Sequence, residues 1–273
     1  MPAPPPSTVT AFAQRLVLGD RLEDKLASLP AELTDSERGP AERIAAPGRP
    51  ACLQIVAGRD ARVPPPEGMR DPSQRARILH ALANHELQAA ELFAWALLAF
   101  PEAPDAFRRG CLGILVDEQR HLALYLERLT ALGGAFGEHP VSGHFWKQIQ
   151  SVRTPLQFVC VMGLTFENAN LDFAAEHIVE AESAGDPDTA DVLRAVHADE
   201  VRHVAFGWQW LESWRDGADA WDVYTDALGE RLGPERARGR NFDRAAREAA
   251  GLDAAFVQRL ENTRPRGPGG ASR

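Results

Sequence analysis

The chain is short of cysteine, short of positive charge and without a long apolar run, and each shortage closes off a class of protein. Three cysteines, Cys52, Cys111 and Cys160, make no disulfide framework, which fits a reducing compartment. Two of them, Cys111 and Cys160, each lie seven residues before a glutamate that matters below; they are expected to face the interior as small apolar side chains. Acidic residues outnumber basic ones, 39 to 30, for a formal net charge of −9. Binding to nucleic acid calls for a basic face, so a local patch drawn from the 28 arginines would be needed for such a partner. No apolar stretch approaches the roughly 20 residues that cross a bilayer. The proline-rich opening, Met1 to Ser7, lacks the apolar core of a signal peptide. A cytoplasmic protein with no membrane partner is expected. The alternating pattern of a strand is also missing throughout, which leaves an all-α fold.

What is present is helix punctuation. A chain of 273 residues, 44% of them hydrophobic, can bury a sizeable core in one domain. Asp71-Pro72, Thr154-Pro155 and Asp186-Pro187 each pair an N-cap residue with a proline at the first helical position. They open helices expected to run to about Phe100, to near Gly185 and to near Gly217. A further helix is expected from near Asp105 to just before Gly133-Gly134. Each is about 28 residues, or roughly 42 Å. The first and second are joined by about four residues, the third and fourth by fewer, so each pair forms an antiparallel hairpin. About 20 residues, Gly133 to Arg153, separate the pairs, enough for one long crossover along a four-helix bundle. The Phe145-Trp146 pair in that link is expected to pack on the bundle. The expected organisation is an extension of short helices and proline-rich loop (1–70), the bundle (71–217), and a helical extension with a disordered tail from Arg264 (218–273). In the extensions, Thr8 to Leu29, Trp221 to Leu232 and Phe242 to Leu260 read as short helices, and Pro30 to Glu67 as loop.

One pentapeptide pattern occurs twice, as Asp117-Glu118-Gln119-Arg120-His121 and Asp199-Glu200-Val201-Arg202-His203. Each copy follows a single glutamate at nearly the same distance: Glu86 precedes Glu118 by 32 residues, and Glu167 precedes Glu200 by 33. Helix positions i and i+3 share a face, so Glu118 points with His121 and Glu200 with His203. Their faces are otherwise apolar, with Ile114, Leu115, Leu122 and Leu129 around the first pair, and Leu193, Val196, Val204 and Leu211 around the second. Each glutamate also falls near the middle of its helix, so in a bundle all would share one level. Two carboxylates 4 Å apart repel by about 4 kcal/mol at an effective dielectric of 20, and two divalent cations would neutralise four of them. Oxygen-rich ligation with one histidine per metal suits iron or manganese better than structural zinc. Glu86, Glu118, His121, Glu167, Glu200 and His203 are therefore the expected ligands of a two-metal site. On the first helix Glu91 competes with Glu86, but it shares a polar stripe with His80, Asn84 and Gln88 and breaks the repeat. Glu86 is favoured.

Neighbours of the ligands carry secondary expectations. Asp117 and Asp199 lie about 100° round the helix from their glutamates, and metal-bound histidines usually donate their second N–H to a carboxylate. A crossed arrangement is expected, Asp199 holding His121 and Asp117 holding His203, against simple i, i+3 pairs with Arg120 and Arg202. Tyr125, four residues after His121, is the candidate redox-active tyrosine. His197, three before Glu200, and Asn170, three after Glu167, are candidates for holding a ligand. His85 is expected to face a neighbouring helix or solvent.

At these residues the chain resembles the ferritin-like di-iron carboxylate superfamily, and more closely a bacterial ferritin-like family catalogued only as a domain of unknown function. The resemblance is carried by Leu18-Gly19-Asp20 with Leu22-Glu23-Asp24-Lys25-Leu26, by Asn84-His85-Glu86-Leu87-Gln88, by Asp117-Glu118-Gln119-Arg120-His121, and by Phe166-Glu167-Asn168-Ala169-Asn170-Leu171-Asp172. It covers nearly the whole chain. It implies a ferritin-like bundle and, by matching position, the same six ligands. Tyr125 stands at the offset of the radical tyrosine in ribonucleotide reductase small subunits.

The function these readings favour is a di-iron oxidase or oxygenase, with Mn/Fe as the alternative metal pair. Its expected partners are O2, a small-molecule substrate, an electron donor that the sequence does not name, and a second copy in a homodimer. A ferroxidase or iron-handling protein is the rival reading. A tRNA-modifying hydroxylase is a third, disfavoured by the acidic balance.

Overall fold

The computed structural model describes residues 6–230 and 232–264 and is predominantly helical. The chain divides into two compact units, Met1–Gln150 and Ser151–Arg273. Each extension belongs to the unit of its neighbouring hairpin and is tied to it by a buried ion pair described below.

The first unit is built around a hairpin of α3 (Pro72–Ala99) and α4 (Asp105–Ala131). Asp71 caps α3 as its motif predicts, its Oδ1 accepting from the amides of Ser73 at 2.9 Å and Gln74 at 3.0 Å. From Leu87 to Ala99 every residue of α3 is buried, so this helix is the axis of the unit rather than one of its walls. It stops where Phe100 leaves helical geometry ahead of Pro101. The turn into α4 is held by Arg108, whose guanidinium donates to Leu97 O at 2.7 Å and grips Asp35 through two bonds of 2.7 and 2.6 Å. At its far end α4 closes on Gly133, at φ +80°, with the Gly134 amide bonded back to Leu129 O, a helix stop that glycine permits. Helices α1 (Val9–Leu18) and α2 (Leu22–Lys25) pack on α3, and α5 (His144–Ile149) brings Trp146 into the core.

The expectation of no strand is corrected in one place. β1 (Ile55–Val56) pairs in parallel with β2 (Val141–Ser142). Two residues are too few to register as an alternating pattern. Nearby, buried His80 accepts at Nε2 from the amides of Gly137 at 2.9 Å and His139 at 3.4 Å.

In the second unit the expected third helix is not one α-helix. It comprises α6 (Pro155–Val161), a π-helical turn over Met162–Glu167, and α7 (Asn168–Ser183). The π turn widens the helix by one residue per turn. Thr154 caps α6 and Asp186 caps α8 (Pro187–Trp214), and α6 and α7 both pack on α8. Beyond α8 lie α9 (Ala220–Leu228), α10 (Arg244–Ala249) and α11 (Ala254–Glu261). The single helix expected over 242–260 is two, parted at Gly251, where φ is +79°. The tail expected from Arg264 falls, from residue 265 onward, outside the described residues, as does the start of the 1–7 segment. Among the described residues no helix is long and apolar enough to cross a membrane.

Candidate metal centre

Within the first unit, Glu86 on α3 meets Glu118 and His121 on α4. All three are buried, with Glu118 and His121 at 0% exposure. His121 presents Nδ1, which lies 3.5 Å from Glu86 Oε2 and 3.4 Å from Glu118 Oε2. One ligand atom from each of the three lies within 4.8 Å of the other two. Burial raises the Glu86 carboxyl well above the ordinary carboxylate range; His121 pulls it back in part, and the adjoining Glu118 pushes it further up. Holding two carboxylates this close and this dry is costly without a cation.

The second unit repeats the arrangement. Glu167 closes the π turn, and Glu200 and His203 stand on α8, all buried. His203 also presents Nδ1, 3.2 Å from Glu200 Oε2. One ligand atom from each of Glu167, Glu200 and His203 lies within 4.8 Å of the others. The Asn170 side chain donates to Glu200 Oε1 at 2.8 Å, so its amide orients a carboxylate of the cluster. Each buried Glu/Glu/His set has the donors to bind a metal ion.

The remaining candidates are placed as follows. Asp199, 7% exposed, pairs with Arg202 at 2.6 Å, and Asp117 with Arg120 at 3.4 Å. Tyr125 is buried on α4, one turn beyond His121. His197 turns to the C-terminal segment, its Nε2 3.5 Å from Asp243 Oδ2, and does not gather with Glu200 and His203. The His85 ring lies against Phe145.

Glu91 is absorbed elsewhere. It is fully buried and accepts from Arg49 through two bonds of 3.0 and 2.7 Å and from Trp146 Nε1 at 2.8 Å, with Lys25 Nζ 3.2 Å away. Arg49 also reaches Asn84 Oδ1 at 2.9 Å. Burial lowers the Lys25 amine below the ordinary lysine range, and Glu91 opposes that shift.

Asp172 does the equivalent work in the second unit. Arg247 of α10 holds it at 2.7 and 3.0 Å, and the amides of Gly239 and Asp243 donate to it at 2.8 and 2.7 Å. Sequence reading missed this pair. A signal was there: Asp172 follows Glu167 by five residues, as Glu91 follows Glu86.

The chain belongs to the family described as "Protein of unknown function (DUF455)", which matches residues 9–258. No curated protein and no solved structure matches it.

Proposed function

We propose that this DUF455 protein is a di-metal carboxylate protein of ferritin-like architecture, with one half-site in each unit, and that it takes iron and uses O2 to oxidise a small substrate. The observation that carries the reading is the repetition: each unit independently gathers a buried Glu, a second Glu and a histidine presenting Nδ1. Two hairpins joined by a long crossover, each with Glu on one helix and Glu-x-x-His on the other, form the known donor plan of such bundles.

In this reading Glu86, Glu118 and His121 hold one metal, and Glu167, Glu200 and His203 the other. A bound iron pair would supply the redox chemistry with O2. The protein's own part is to keep the donors in place and dry. Asn170 orients Glu200 through its amide bond. Burial of all six donors excludes bulk water and strengthens their interaction with a cation. The expected small-molecule substrate, electron donor and homodimer belong to the same proposal.

The test is anaerobic Fe(II) loading followed by admission of O2. The expected result is two metals per chain and stoichiometric O2 consumption, with metal analysis separating Fe/Fe from Mn/Fe. No metal uptake, or uptake with no reaction toward O2, would overturn the proposal. Sizing chromatography excludes the iron-storage rival if the protein elutes as a monomer or dimer, since storage needs a many-subunit cage.

A further inference from the structure

We infer that Tyr224, on the C-terminal helix α9, is a positioning residue for Glu167, acting through the π turn. The inference rests on the reading that Glu167 holds a metal.

Thr165 lies inside the π turn, two residues before Glu167, and is fully buried. Its hydroxyl donates to Cys160 O at 2.8 Å, five residues back. This is the carbonyl that the wider i to i+5 pattern brings opposite residue 165. A threonine hydroxyl has one hydrogen, and it is committed to Cys160. The bond of 2.9 Å between Thr165 Oγ1 and Tyr224 Oη is therefore donated by the tyrosine. Tyr224 is 0% exposed, and burial pushes its phenol well above the ordinary range, so it stays protonated and able to donate. Its ring is fixed by Phe256 of α11, with centroids 5.2 Å apart, and by Trp221 at 5.8 Å.

A second contact constrains the same turn. A Cβ on Gly163 would stand 3.0 Å from Gly207 Cα and 3.6 Å from His203 O; one on Gly207 would stand 3.2 Å from Gly163 Cα. The π turn and α8 thus touch backbone to backbone, one turn beyond the ligand His203. The wide turn is held in register by Tyr224 and by this glycine contact together, and Glu167 is its last residue. The C-terminal segment thereby acts on the ligand geometry without contributing a ligand.

The experiment titrates metal-free full-length protein with Co(II) under anaerobic conditions and measures amide exchange in the same samples. Tyr224→Phe keeps the ring and removes only the donor. It is expected to weaken one of the two metals by about tenfold, in the range typical for residues that orient ligands. The other metal should bind unchanged, and exchange should rise in residues 162–168 but not in α3 or α4. Thr165→Val should reproduce the loss and Thr165→Ser should restore wild-type binding, a rescue that a general packing role would not produce. Gly207→Ala should weaken the same metal. If Tyr224→Phe and Thr165→Val bind both metals as tightly as wild type, this inference falls alone. If the wild-type chain takes up no metal, the metal reading falls and this inference with it.

Discussion

Asp172 and Arg247 face each other through two bonds of 2.7 and 3.0 Å at 1% and 0% exposure, five residues beyond Glu167 of the buried carboxylate–histidine cluster. Glu91 and Arg49 stand in the same relationship to Glu86 in the other unit. In both, the acid comes from a hairpin helix and the arginine from a flanking segment. Removing one partner of a buried pair leaves a charge without compensation and typically costs about 3–5 kcal/mol. Asp172→Ala is expected to destabilise within that range. Glu91→Ala should cost more, because it strands both Arg49 and Lys25. Urea denaturation of the two variants checks the ranking; near-neutral effects would mean that the clusters carry no net stability.

The buried glutamates of the candidate metal site should show the opposite sign. Glu86 is held above its ordinary range chiefly by burial, so in the metal-free protein its carboxylate form works against the fold. Glu86→Gln is expected to raise the melting temperature of the metal-free chain while abolishing the stabilisation that metal provides. A site filled at one hundred times its Kd adds about 2.7 kcal/mol. Thermal scans with and without Fe(II) or Co(II) test this, and a variant less stable in both states would contradict it.

Asn170 touches Glu200 directly. Asn170→Ala is expected to lower affinity at one metal by about 10- to 100-fold and to leave the fold intact by circular dichroism. Unchanged affinity would show that Glu200 is oriented without the amide.

His80 provides a pH dependence. Burial, with His139 adding to it, lowers its pKa from 6.5 to about 4. Two amides donate to its Nε2, which only the neutral ring can accept. The unfolded chain takes up a proton near pH 6.5 and the folded chain only near pH 4. The group therefore favours the unfolded state progressively as pH falls through that window, by up to about 3 kcal/mol. Below pH 4 no further loss is expected from this residue. His80→Gln keeps an acceptor and cannot titrate, so its stability should change less than wild type's between pH 7 and pH 4.5. Parallel slopes for the two proteins would remove His80 as the cause.

The long helices were legible because their ends carry chemistry that sequence displays: Asp71-Pro72, Thr154-Pro155 and Asp186-Pro187 cap where they were expected to. The six ligand candidates were legible because a polar residue on an apolar face stands out, and because the pattern occurs twice. The π turn was not legible. Its residues, Met162 to Glu167, carry no local signal for a wide turn, and one contact on it, Thr165 with Tyr224, comes from 59 residues further on. Glu91 read correctly as part of a polar stripe, but its partners Lys25, Arg49 and Trp146 come from outside the hairpin, where periodicity says nothing. His197 shared the helical spacing of a ligand face yet turned to Asp243, because spacing along one helix does not say which neighbour covers it.

Of the two lysines in the chain, Lys147 is exposed and Lys25 is sealed, its amine bonded to Leu16 O at 2.6 Å and Val17 O at 3.1 Å. A reagent that acylates amines therefore meets a ready side-chain target at Lys147 and a closed one at Lys25. Labelling of Lys25 waits on the opening of the Met1–Gln150 unit, which gives the native chain an internal clock for its own local unfolding, with no probe engineered in.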